Sequence, residues 1–186
     1  MELILAGATG LVGAEVLRHA ILDPDITKIR LILRRPIRLQ NEKLESVVVE
    51  DFDQLESLPR PGRNCVAICS LGTTIKKAGS QEVFRKADYE SVLNFAKYCA
   101  DVQSFVVVSA MGANAGSRFF YHRVKGETEQ ALESLGLQRL VIFQPGLLVG
   151  DRIEKRRGEQ VGIRAFHLLE HVLPSAINRS WATKVS

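Results

Sequence analysis

Tyr121 and Lys125 stand four positions apart in FYHRVKGE, residues 120–127. Four residues make about one helical turn, so the two side chains leave one face and can reach one reactive atom. The chemistry on offer is proton transfer. A phenol is a weak acid at neutral pH, and a neighbouring ammonium favours its ionised form. Earlier in the chain Ser109, in VVVSAMG, adds a hydroxyl able to hydrogen-bond the same substrate oxygen. Read together, Ser109 holds that oxygen, Tyr121 delivers its proton, and Lys125 tunes Tyr121 and binds a nearby ribose. The plainer alternative is an exposed helix face that happens to carry a tyrosine and a lysine.

Such a set needs elements to assemble it. Short apolar runs rich in β-branched residues predict strands at 2–7, 28–34, 44–51, 65–72, 104–111 and 138–146. Helical spacing predicts helices at 11–22, 81–100 and 121–135, with Ser80 as an N-cap and Gly136 as a C-terminal stop. Strand and helix alternate, which predicts an α/β fold built as a Rossmann-type doubly wound parallel sheet. Ligands of such sheets bind beyond the carboxyl ends of the strands. Ser109, ending the fifth strand, and the start of the Tyr121 helix would therefore converge. One NAD(P)-binding domain is expected over 1–186. After Gly150 the strand rhythm stops, and 151–186 reads as a C-terminal extension on the substrate side. The closing ATKVS reads as the lead into a further helix, so the chain is expected to continue past Ser186.

The first strand runs directly into GATGLVG, residues 7–13. Glycines here allow a tight turn, close approach of backbone to a pyrophosphate, and a helix N-terminus facing the anion. Gly7, Thr9, Gly10, Leu11, Val12 and Gly13 are the expected cofactor-binding residues of this loop. Where an NAD-preferring site carries an acid at the end of the second strand, this chain has Arg34 and Arg35. A guanidinium can hold the extra phosphate of NADP bidentately, so NADP(H) is the expected cofactor. An exposed basic turn before Pro36 is the bland reading. Asp51 and Phe52 fall where an adenine ring would be bordered, with Asp51 placed to accept from its amino group.

GATGLVG, Ser109 and YHRVK resemble an atypical member of the short-chain dehydrogenase/reductase superfamily. More closely, SLGTT (70–74), KADYESVLNFA (86–96), YHRVKGETE and FQPGLLVGDR resemble the Tat-interacting-protein-like NAD(P)-binding oxidoreductases. The resemblance covers most of the chain. It implies a Rossmann fold, NADPH held by the glycine loop and the basic strand end, and the Ser109, Tyr121 and Lys125 set. It also implies that the backbone of Ser70, Leu71, Gly72 and Thr73 lines the cofactor trough and that Pro145 and Gly146 border the nicotinamide. The asparagine found fourth in many such sets is not matched; Asp88 occupies its helix position.

Composition excludes several classes. A chain of 186 residues with 46% hydrophobic content can bury one substantial core, and no apolar run approaches the roughly 18 residues of a membrane span. The net charge of +4 comes from scattered basic residues with no nucleic-acid motif, so no nucleic-acid partner is expected. Cys65, Cys69 and Cys99 lie in apolar segments, which suits a reducing, cytoplasmic setting. His167, Glu170 and His171 fit a zinc-protease pattern, yet no third ligand follows, so no metal is expected. His122 reads as a surface histidine. The favoured function is an NADPH-dependent oxidoreductase acting on a small carbonyl or quinone substrate. The alternative is an NADPH-binding regulatory or scaffold protein with little or no turnover; beside a small-molecule substrate, a protein partner or a homo-oligomer is the other partner class considered. A nucleotide-sugar epimerase shares the motifs but needs a larger C-terminal region.

Overall fold

The computed structural model of the chain describes residues 1–145. Six strands, β1 (Glu2–Ala6), β2 (Lys28–Leu33), β3 (Leu44–Val48), β4 (Cys65–Cys69), β5 (Ser104–Val108) and β6 (Leu140–Phe143), form one sheet. Every adjacent pair is parallel, in the order β3-β2-β1-β4-β5-β6. Strand order reverses between β1 and β4, which opens a crevice at their carboxyl ends. The Rossmann-type fold expected from the sequence is the fold observed. The strands end earlier than the apolar runs that predict them, because the last residues of each run leave the ladder to build the crevice loops.

The central strands β1 and β4 are apolar on both faces because both are covered. Leu3, Leu5, Ile29, Leu31, Val66 and Ile68 pack with Val12, Val16 and Leu17 of α1 (Leu11–Leu22). Their alternates Ile4, Ala6, Ile32, Ala67, Phe105 and Val107 share a second core with Phe52, Val92 and Phe95. Side chains of a strand alternate between faces, so two interleaved apolar sets are what a doubly covered sheet requires. Phe95 packs tilted against Phe105 with ring centroids 5.6 Å apart, and each fully buried phenyl ring contributes about 1.5–3 kcal/mol.

The predicted 81–100 helix divides into α3 (Gln81–Arg85), a π turn (Lys86–Glu90) and α4 (Ser91–Tyr98). Ser80 caps it as expected, accepting from Val83 N at 3.2 Å. The π turn was not legible, since one widened turn leaves the apolar spacing nearly unchanged. Two further short elements also lack a periodic signal: α2 (Ile75–Ala78) and a 3-10 turn at Phe52–Ser57. The last helix, α5 (Phe120–Glu133), ends just before Gly136, whose φ is +66°.

Gly126 fixes where α5 lies. A methyl group there would sit 2.2 Å from Ala115 N and 2.3 Å from the Asn114 carbonyl carbon, so the helix rests directly on the 114–115 backbone. Alanine gains up to about 1 kcal/mol of helix propensity over glycine, whereas overpacking against backbone costs about 1–3 kcal/mol. Gly126→Ala is therefore expected to lower stability by about 1–2 kcal/mol in urea titrations. An unchanged midpoint would mean that the contact relaxes freely.

Candidate active site

The turn after β1 is built by exclusion of side chains. Gly7 has φ +87°, and a Cβ added there would stand 2.5 Å from the Ser70 carbonyl oxygen. On Gly13 it would stand 2.1 Å from Gly7 O and 2.5 Å from Ser70 Oγ. Ser70 closes the junction from the other side, donating from both N and Oγ to Ala6 O at 2.9 Å. The first turn of α1 has neither a side-chain cap nor an acidic residue, so its N–H groups face the crevice ready for an anion.

A cleft of about 630 Å³ opens there. Gly7, Thr9, Gly10, Arg34, Arg35, Phe52, Ser70, Leu71 and Gly72 line it. Glu50 also lines it and was missed, because Asp51 beside it fits the adenine role better by type. Leu11 stands 59% exposed at the mouth of the turn, whereas Val12 and Gly13 are buried behind it. Asp51 is engaged locally. Its Oδ1 accepts from Phe52 N at 2.7 Å, and its carboxylate pairs with Lys86, which together with Arg34 holds the carboxyl below its ordinary range.

Lys125 is almost wholly buried, and its ammonium lies 2.7 Å from Oδ1 of Asp88, which is fully buried. Asp88 Oδ2 accepts from Thr73 N at 2.8 Å. Burial pushes the Asp88 carboxyl up, while Lys125 and the Thr73 N–H pull it down. The missing Cβ of Gly72 would lie 3.4 Å from Asp88 Oδ1 and 3.7 Å from Lys125 Nζ. The ion pair thus sits directly beneath a residue of the cleft. The π turn carries Asp88, and Thr128 Oγ1 of α5 donates to the Asp88 carbonyl at 3.0 Å.

Tyr121, one turn before Lys125, packs its ring 5.6 Å from fully buried Phe84 and 5.4 Å from His122. His122 is only partly exposed, and its Nδ1 is buried with no hydrogen-bond partner among the described residues. Ser109 N donates to Phe143 O, which fixes the end of β5 to β6. The Ser109 hydroxyl donates to Glu129, two turns beyond Tyr121. Neither Glu129 nor Phe84 was singled out from sequence, although Glu129 continues the Tyr121 and Lys125 spacing by four. Pro145 O accepts from Met111 N at 3.2 Å; Gly146, the 151–186 extension and the His167, Glu170 and His171 pattern lie outside the described residues. Cys65, Cys69 and Cys99 are free and buried, and burial pushes the Cys69 thiol up to about 12.

Residues 31–176 match the HIM1 family. The chain belongs to the HIM1 family. Its likeness to a protein named HTATIP2 agrees with the Tat-interacting-protein-like branch expected from its motifs. This HIM1-family chain is 37% identical over 189 residues to "Protein fmp52, mitochondrial" of Emericella nidulans, covering 96% of this chain and 79% of that protein. It is 35% identical over 170 residues to "Protein HTATIP2" of Rattus norvegicus, covering 89% of this chain and 70% of that protein. Among solved structures, MoeE5 in complex with UDP-glucose and NAD matches with a TM-score of 0.60 at 12% identity, over 77% of this chain and 54% of that one. The Thermotoga maritima UDP-glucose 4-epimerase matches at 0.59 with 15% identity, over 77% and 55%. These likenesses show the Rossmann fold, and this chain spans little more than half the length of those structures. The cytoplasmic expectation does not stand: fungal relatives at 35–37% identity are named mitochondrial proteins. Buried cysteines exclude a disulfide framework but do not distinguish one reducing compartment from another.

The ion pair makes a sharp prediction for this HIM1-family fold. Asp88→Asn leaves a buried ammonium without its counter-ion and is expected to cost about 3–5 kcal/mol in urea unfolding. Asp88→Asn combined with Lys125→Met removes both charges and is expected to recover most of that loss. Additive losses in the double variant would refute a direct charge pairing.

Proposed function

We propose that this protein is an NADPH-dependent oxidoreductase that transfers hydride to a small carbonyl or quinone by a Ser109, Tyr121 and Lys125 mechanism. The observation carrying this reading is Lys125, which reaches Gly72 of the glycine-and-arginine cleft while sharing one helix face with Tyr121. The cleft suits a dinucleotide. Its free helix N-terminus and positive-φ Gly7 fit a pyrophosphate, and exposed Arg34 and Arg35 fit a further phosphate. Bound there, NADPH would supply the hydride. That NAD accompanies MoeE5 in its solved complex agrees with a nicotinamide cofactor in this fold.

Each residue then has a defined task. Tyr121 gives its phenolic proton to the substrate oxygen as the carbonyl carbon is reduced, and it is reprotonated from solvent. Phe84 keeps the Tyr121 ring from swinging away. Lys125 binds the nicotinamide ribose, its position set by Asp88. Ser109 hydrogen-bonds the substrate, and Pro145 borders the nicotinamide from the end of β6.

Tyr121→Phe is expected to leave NADPH affinity intact while lowering hydride transfer by about a hundredfold or more, measured by single-turnover NADPH oxidation. Unchanged turnover would remove Tyr121 as the acid. Arg34→Ala and Arg35→Ala are expected to weaken NADPH about tenfold or more with little effect on NADH, read by nucleotide fluorescence titration. Equal losses for both nucleotides would mean that the arginines do not read the phosphate.

A further inference from the structure

Ser109 and Glu129 come from different elements, the end of β5 and the third turn of α5, and meet hydroxyl to carboxylate. Gln144, just past β6, donates from Nε2 to both Glu129 oxygens at 3.0 Å. Glu129 therefore gathers the ends of two strands onto the helix that carries Tyr121 and Lys125. A serine hydroxyl has one hydrogen and two lone pairs, and an ionised carboxylate can only accept. The single hydrogen of Ser109 is thus on Glu129. A hydrogen bond to a charged acceptor is about twice as strong as one to a neutral carbonyl, so a carbonyl substrate does not readily draw that hydrogen away.

We propose that Glu129 is a positioning and specificity-determining residue: by holding the Ser109 hydrogen, it makes Ser109 meet the substrate as an acceptor. This deepens the reductase reading and rests on it. The substrate class that satisfies both side chains is a carbonyl compound with a hydroxyl on the adjacent carbon. Tyr121 donates to the carbonyl oxygen while the neighbouring hydroxyl donates to Ser109. In the reaction the carbonyl carbon gains a hydride from NADPH, its oxygen gains the Tyr121 proton, and a diol and NADP⁺ leave. Ser109 and Glu129 are unchanged throughout.

One measurement reads the Ser109 hydroxyl without cofactor or substrate. In mixed H₂O and D₂O, a slowly exchanging serine hydroxyl splits its ¹³Cβ resonance by an isotope shift. Splitting is expected at Ser109 in the wild type, and a single averaged line in Glu129→Leu. Kinetics with NADPH and the probe pair hydroxyacetone and acetone then read specificity. The kcat/KM preference for hydroxyacetone is expected to fall about tenfold in Glu129→Leu and in Ser109→Ala, with NADPH Kd unchanged. An averaged Ser109 line in the wild type, or an undiminished preference in both Glu129→Leu and Ser109→Ala, overturns the proposal. Splitting in a wild type that reduces no carbonyl at all overturns the reductase reading instead and leaves the hold of Glu129 on Ser109 established.

Discussion

The close approach of the β1–α1 turn to the end of β4 governs the architecture of this protein. A methyl group added at Gly7 would run into the Ser70 backbone and one at Gly13 into Gly7 O and Ser70 Oγ, and Ser70 is tied twice to Ala6 O. That contact holds β1 against β4 at the place where strand order reverses, and it aims the uncapped N-terminus of α1 into the resulting crevice. A larger side chain at either glycine would push the helix from the sheet and close the cleft from within. Fold and binding surface thus depend on one packing constraint.

Charge organises the other half of the site. Lys125 and Ser109, the two polar groups expected to act with Tyr121, each meet a carboxylate: Asp88 for the ammonium and Glu129 for the hydroxyl. Asp88 is carried by the π turn, and Glu129 by the same helix as Tyr121. A buried charge needs a partner, and a helix that widens by one residue can present a side chain that regular winding would turn away. The site is therefore fixed by contacts between elements as well as by the residues that would do the chemistry. Gly72 joins the two halves, since it lines the cleft and roofs the ion pair.

Membership of the HIM1 family places this chain among its relatives, and likeness to solved structures shows its fold. They bear differently on the site. Relatives at 35–37% identity share most of this chain, whereas the solved structures share a scaffold at 12–15% identity and are much longer. A common scaffold hosts many reactions, so the chemistry has to be argued from Ser109, Tyr121, Lys125 and their partners.

Much of this was written in the order of residues. Alternating apolar runs and helical spacing determined the parallel sheet, since a strand covered on both faces has to be apolar throughout. The glycines of GATGLVG, the Arg34–Arg35 pair and the Tyr121–Lys125 spacing marked the cleft and the candidate proton donor, because each is a local pattern with a local physical cause. The sequence could not show which groups from distant elements would meet. Asp88 lies 37 positions from Lys125, and Glu129 lies 20 from Ser109; only the register of β5 and the docking of α5 through Gly126 bring them together. Hydrogen bonds and ion pairs act over a few ångströms of space, whereas a sequence records distance along the chain. What the residues can do was legible early, and which partner holds each of them was decided by the tertiary structure.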